Sequence, residues 1–265
     1  IRDRSQGWSP LQHVYFETRF SKPFVACHMD TTSIVTKEKG WIGTAYVARF
    51  DFNTEKDEEI LVNTAISGVS MEGAAKNLQA EVPVNDFDRY HTEAVARWNK
   101  ELSKIEVNGN NTDDLVKFYT AMYHTMIAPT IFSDVDGSYY GPDNQIHKAD
   151  GWNNYSTFSL WDTYRALHPL FNLVQRDINA DIVNSMLAHY DKSVEHMLPV
   201  WSFYGNETWC MIAYHAVSVI ADAIMKDVKG FDYERAYEAM KTTATNPNYD
   251  CLCLLYTSDA ADDKA

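Results

Sequence analysis

Two kinds of structure are predicted to follow one another along this 265-residue chain: an antiparallel β-sandwich, then paired helices of a bundle or toroid. Three features predict that order. Apolar residues alternate with period two in the segments before Ser70. After Ser70 they recur at three- and four-residue steps. No helical pattern separates the early strand candidates, which argues against a parallel βαβ sheet.

Taken in order, Gln12–Phe20 predicts a strand with Val14, Phe16, Thr18 and Phe20 on one face, closed by Ser21-Lys-Pro-Phe24. Thr44–Phe52 and Glu59–Ser67 predict two more, with Lys39-Gly40 and the acidic run Glu55–Glu59 as turns. Met71–Ala80 predicts a short helix ahead of Pro83. Asp86–Ile105 predicts a longer amphipathic one, with Phe87, Tyr90, Ala94, Trp98, Leu102 and Ile105 on its apolar stripe. Asn108-Gly-Asn-Asn111 breaks the chain, and Thr112 is the expected cap of a helix running to Pro129. Ser133–Asp143 is rich in Asp and Gly and superficially resembles a calcium loop. It lacks the ligand spacing and closing Glu of an EF-hand, and Asp-Gly clusters are first of all turn formers. Helices are then expected over Ser159–Leu173, Ile178–His189, Glu207–Val228 and Tyr233–Thr243. Residues 251–265 do not continue the helical pairing and read as a non-native tail, with a frayed natural terminus as the alternative.

Composition narrows the function. The chain is 45% hydrophobic and 13% aromatic, enough to bury a core. A net charge of −14 disfavours nucleic acid and anionic membrane surfaces and suits a neutral substrate or a bound cation. Cys27, Cys210, Cys251 and Cys253 have neither a disulfide framework nor a zinc spacing. No apolar run reaches the length of a membrane span. The start, Ile1-Arg-Asp-Arg4, reads like the middle of a longer protein.

The most informative stretch is Tyr155–Leu170, with Trp161, Asp162, Thr163, Tyr164 and Arg165 at its centre. A flat aromatic wall beside a carboxylate and a guanidinium suits a sugar, which has apolar C–H faces and a rim of hydroxyls. Spacing alone equally fits a helix surface, with Ser159 or Thr157 as cap, Asp162 in the first turn and Asp162–Arg165 as an i, i+3 ion pair.

Motifs in chain order resolve the choice. Tyr15-Phe16 with Phe20–Phe24, Ile66–Ala75 with Asn77-Leu78 and Glu81, Trp98-Asn99, Phe118–His124, Phe132–Gly137, Phe158–Ala166 with His168-Pro169, and Gly205–Thr208 with Met211, His215 and Asp222 together resemble glycoside hydrolase family 92, the bacterial calcium-dependent exo-α-mannosidases. The resemblance implies a multidomain β + α fold: the C-terminal portion of an N-terminal β-sandwich over residues 1–82, a helical linker over 83–111, and the first part of an (α/α)6 catalytic toroid over 112–250. It implies removal of terminal α-linked mannose from N-glycan or mannan-type substrates, with inversion and with Ca2+ gripping the sugar. It implies a periplasmic or secreted bacterial enzyme. An inverting glycosidase needs an acid and a base roughly 6.5–9.5 Å apart. The motifs carrying the family's pair are not found here and are expected downstream, so the chain reads as an incomplete, inactive fragment. The expected substrate-binding residues are Trp161, Asp162, Arg165, Glu207 and His215, with Arg165 orienting Asp162. Glu207 has three readings: a subsite residue, a first-turn helix acid, or a catalytic acid. His215 reads as a core histidine or a sugar contact. Asp134 and Asp136 are expected to shape the rim, and the calcium ligands are unassigned. Two other functions fit a sandwich with aromatics or paired helices: a non-catalytic carbohydrate-binding module, and another (α/α)6 glycosidase or phosphorylase.

Overall fold

The computed structural model describes Ser9 and residues 12–36, 41–212 and 214–247. The expected turn at Lys39-Gly40 and the expected tail at 251–265 lie outside them. Four strands open the chain: β1 (Tyr15–Phe20), β2 (Ala26–Thr36), β3 (Trp41–Asp51) and β4 (Val62–Ser67). They form two antiparallel ladders. β1 pairs with β4 from Tyr15↔Ser67 to Phe20↔Val62, and β2 pairs with β3 from Ala26↔Asp51 to Thr36↔Trp41. β2 is absent from the sequence-based expectation. After the half-buried Ala26, Cys27 to Asp30 are all exposed, so over that stretch no buried face imposes an alternating pattern.

Helix α1 (Met71–Glu81) lies across β4 and β1. Ser70 caps it by accepting the Gly73 N–H at 2.9 Å. The face beneath α1 carries Ala65 and Ser67, both buried, opposite the fully buried Ala74 and Leu78 of the helix. The expected apolar face is therefore not the one α1 covers: Phe16 is 58% exposed and its cross-strand partner Ile66 64%. Phe20, at the far end of that face, joins the two ladders by packing on Phe50 and Phe52 at centroid distances of 4.9 and 5.3 Å.

Helix α2 (Phe87–Leu102) starts at Asp86, which accepts the Arg89 N–H, and none of its residues is fully buried. Helix α3 (Thr112–Thr125) is capped by Asn111, not Thr112. The Asn111 side chain accepts the Asp113 N–H at 3.0 Å, leaving Thr112 as the first helical residue. Two small ladders follow: β5 (Thr130–Ile131) pairs with the later β8 (Tyr155–Ser156), and β6 (Ser138–Tyr140) pairs with β7 (Ile146–Lys148).

The Asp-Gly loop before β6 is a turn, with Gly137 at φ 83°. Its aspartates do not form a rim. Asp134 is buried, accepting from the Ser67 hydroxyl at 2.7 Å and the Asn77 amide at 2.8 Å. Asn77 returns a bond by accepting the Val135 N–H at 2.9 Å. Asp136 pairs with Lys76 at 2.8 Å, and that hydrogen bond, with those from Ser138, holds its carboxyl well below the usual range.

The expected helix over Ser159–Leu173 is two: α4 (Leu160–Thr163) and α5 (Leu167–Val174). Pro169 is the reason. It has no N–H and its ring would clash with the carbonyl four residues back, at Arg165, so the helix restarts with Pro169 in its first turn. Helix α6 (Arg176–Lys192) then runs through the core. Tight hairpin strands β9 (Ser202–Phe203) and β10 (Asn206–Glu207) precede α7 (His215–Met225) and α8 (Tyr233–Ala244). The expected helix from Glu207 thus begins only at His215. Tyr204 and Gly205 both have positive φ, the signature of a two-residue hairpin turn, and Trp209 and Met211 follow at φ 52° and 71°.

The core packs α6 residues Ile182, Val183, Met186 and Leu187 against Phe171 of α5, Val219 and Ile220 of α7, and Ala236 and Ala239 of α8. Each large side chain so buried contributes about 1.5–3 kcal/mol. A polar seam crosses it. Asn179 donates to Asn172, Asn172 donates to Asp222 at 2.7 Å, and Asp222 pairs with Lys226 at 2.7 Å. Arg176 closes helix ends by donating to the carbonyls of Asn172, Lys226 and Asp227 at 3.0–3.1 Å.

Two outcomes follow. Gly73→Ala should destabilise the chain by about 1–3 kcal/mol in denaturant titration, because the new Cβ would run into the Asp134 carboxylate and lie 2.7 Å from the Ser67 hydroxyl. Helix propensity alone would give the opposite sign, by about 1 kcal/mol. His168 is buried, its Nδ1 has no hydrogen-bond partner, and burial pushes its pKa down from 6.5 to about 4. The unfolded chain therefore takes up a proton that the folded one refuses, and stability falls as pH drops from 6.5 to 4. His168→Gln should flatten that part of the stability–pH curve.

Candidate functional site

The site is built where the α4–α5 break meets the start of α7. Phe158 and Leu160 are buried and anchor the segment, and the Phe158 N–H donates to the Ser202 carbonyl at 2.9 Å. Ser159 stands at the cap position of α4. Its hydroxyl donates to the Asp162 carboxylate instead of accepting a backbone N–H. The Thr163 hydroxyl donates to the Ser159 carbonyl at 3.1 Å.

Trp161 and Tyr164 lie three residues apart and face the same way. His215, the first residue of α7, stacks on Tyr164 with centroids 4.0 Å apart and planes at 10°, and lies 5.4 Å from Trp161. Arg165 covers both aromatic rings, 4.8 Å from the Tyr164 centroid and 5.4 Å from that of Trp161, within cation–π range. Its Nε donates to the Tyr164 hydroxyl at 2.8 Å. The His215 Nε2 is shielded from solvent and has no hydrogen-bond partner. Burial first, and the Arg165 charge second, hold its pKa below the ordinary histidine value.

Three of the five expected residues, Trp161, Arg165 and His215, thus converge. Asp162 stands beside them, exposed. Arg165 does not orient its carboxylate: the guanidinium is engaged with the two rings, and Ser159 holds Asp162 instead. That leaves Asp162 acceptor capacity facing solvent. Tyr164, outside the expected set, is the centre of the cluster. Its i, i+3 spacing from Trp161 was the available signal.

Glu207 is set differently. It sits on β10, not in a helix first turn, and its side chain is 7% exposed. Its Oε1 accepts the N–H groups of Trp201, Thr208 and Trp209 at 2.9, 2.9 and 3.0 Å, and its Oε2 accepts that of Val200 at 2.9 Å. The buried His189 lies 3.6 Å away. With both oxygens so occupied, Glu207 has little capacity left for a sugar hydroxyl or for proton transfer to one.

Among the described residues no group of three or more His, Cys, Asp or Glu could hold a metal ion. The aspartates of the Asp-Gly loop are already taken, Asp134 by Ser67 and Asn77, Asp136 by Lys76 and Asp143 by His147. The residues described here therefore do not fit a calcium site.

The profile of the glycosyl hydrolase family 92 catalytic domain matches residues 73–262. The chain belongs to glycosyl hydrolase family 92. Among solved structures, this family 92 chain is similar to the family GH92 alpha-mannosidase BT3965 from Bacteroides thetaiotaomicron, with 53% identity and a TM-score of 0.83 over 93% of this chain and 34% of that one. The same enzyme in complex with mannoimidazole matches with 53% identity and a TM-score of 0.83, over 93% of this chain and 33% of that one. The family GH92 inverting mannosidase BT2199 from Bacteroides thetaiotaomicron VPI-5482 is 29% identical with a TM-score of 0.75, over 90% of this chain and 33% of that one. The chain thus spans about a third of the length of the structures it matches. No curated protein matches it.

Replacing Arg165 by Gln should raise the His215 pKa toward its ordinary value, since a nearby positive charge is removed. A proton NMR titration of the His215 ring reads this directly, and an unchanged titration would place Arg165 away from the ring.

Proposed function

We propose that the family-length protein containing this chain is a glycoside hydrolase that removes terminal α-linked mannose from glycans, with inversion and with a bound calcium ion. The observation that carries this is the 53% identity to an alpha-mannosidase that has been solved in complex with mannoimidazole. The Trp161–Tyr164–Arg165–His215 cluster with Asp162 at its edge agrees with it. An aromatic wall packs on the C–H face of a sugar ring, while an exposed carboxylate accepts from ring hydroxyls. In this reading Trp161, Asp162 and His215 touch the sugar, and Arg165 fixes the aromatic wall. Glu207 makes no sugar contact. The general acid, the general base and the calcium ligands lie outside the described residues.

We propose for the chain the domain plan of a sandwich to residue 82, a linker over 83–111 and a toroid over 112–250. The exposed Phe16–Ile66 face supports it, because a second sheet of a sandwich would cover that face. The exposed Leu173 and Met225 support it likewise as contacts for further toroid helices. No described helix is long and apolar enough to cross a membrane. We place the enzyme in the periplasm or outside a bacterial cell, where large mannosides are met.

The family-length enzyme should release mannose from α-mannosides and stop when EGTA removes calcium. Release of a different sugar in place of mannose would overturn the assignment. Asp162→Asn in that enzyme should lower kcat/KM by about 10- to 150-fold, the loss of one charged hydrogen bond worth roughly 1.5–3 kcal/mol. The 265-residue chain alone should release no mannose. Turnover by it would show that the acid and base are within it after all.

A further inference from the structure

We propose that Glu207 is a positioning residue, which fixes the Val200–Trp209 loop so that His215 meets the Trp161–Tyr164 wall. The inference rests on the reading of that wall as the sugar site. Four backbone N–H groups from both arms of the loop converge on the one carboxylate, at 2.9–3.0 Å. The arms are also joined directly, the Thr208 N–H and hydroxyl donating to the Trp201 carbonyl at 3.2 and 2.8 Å. The β9–β10 ladder is two residues long on each side, and Tyr204, Trp209 and Met211 have left-handed backbone conformations that cost a non-glycine residue of order 1–3 kcal/mol each. Such conformations persist only where the surroundings over-determine them, and at Trp209 those surroundings include the carboxylate.

The coupling to the site is a short chain of contacts. Glu207 holds the amides of Val200 and Trp209. Trp209 and Tyr214 both pack on the buried pair Met197 and Val200. Tyr214 is the cap residue of α7, and the next residue is His215, face to face with Tyr164 at 4.0 Å. The groups facing the His215 ring are thus Tyr164 and Trp161, with the Arg165 charge beyond them. If the carboxylate released the loop, Tyr214 would lose its platform and His215 its fixed place in the stack.

The test uses this chain and needs no mannoside, so its outcome is separate from that of the mannosidase assay. In Glu207→Gln an NH2 group replaces one acceptor oxygen and confronts N–H donors. The expected result is an upward shift of the His215 NMR titration toward the ordinary histidine value, with faster hydrogen exchange at Val200, Trp201, Thr208 and Trp209. Glu207→Asp keeps the charge and both acceptors on a shorter arm, and should restore part of the wild-type titration. A folded Glu207→Gln with lower thermal stability but an unmoved His215 titration would overturn the proposal, leaving Glu207 as a fastener of the fold alone. Should Glu207→Gln not fold, Glu207→Asp decides: faster exchange at the four amides with His215 unmoved overturns the proposal, and a partial upward shift supports it.

Discussion

The buried carboxylate of Asp134 is the contact on which the two halves of the chain depend. It accepts from Ser67 at the end of β4 and from Asn77 in α1, while the neighbouring amide of Val135 is held by Asn77. Strand, helix and loop therefore share one set of donors and acceptors. A buried carboxylate left without partners costs several kcal/mol, so none of the three can move away alone. Gly73 follows from this arrangement. A side chain there would occupy the space the carboxylate needs.

The elements that were legible in the sequence are those whose burial imposes a period. Helices α6 and α8 bury one or more faces against a shared core, and their apolar spacing announces them. β1 and β4 were legible as strands, yet the side that α1 covers was not. Ala65 and Ser67 are small and carry little hydrophobic signal, whereas the conspicuous Phe16 and Ile66 stay exposed. β2 gave no signal over Cys27 to Asp30 because all four face solvent. The α4–α5 break was written in Pro169, but the apolar pattern on either side masked it. The loop from Trp201 to Met211 was illegible for a different reason. Its shape comes from backbone amides and positive φ angles, which no side-chain period records.

The candidate site shows the same division. Trp161, Asp162 and Arg165 stand out in sequence because their residue types are unusual together. The pairing inferred from spacing, Asp162 with Arg165, gave way to Arg165 over two aromatic rings, where planar contact is favoured. Tyr164 is central because it offers Arg165 a hydroxyl acceptor and His215 a ring face at once. The second property is not visible without the partner from α7, which lies some fifty residues away in the chain.

The way the Val200–Trp209 loop is held has an evolutionary consequence. All four donors are main-chain groups, which every residue type except proline supplies. One acidic side chain must be kept. The side chains at the anchored positions are free, as far as this contact goes, to change in size and polarity without altering the path of the backbone. The loop can thus keep one backbone path while its partly exposed positions, Thr208 among them, change side chain.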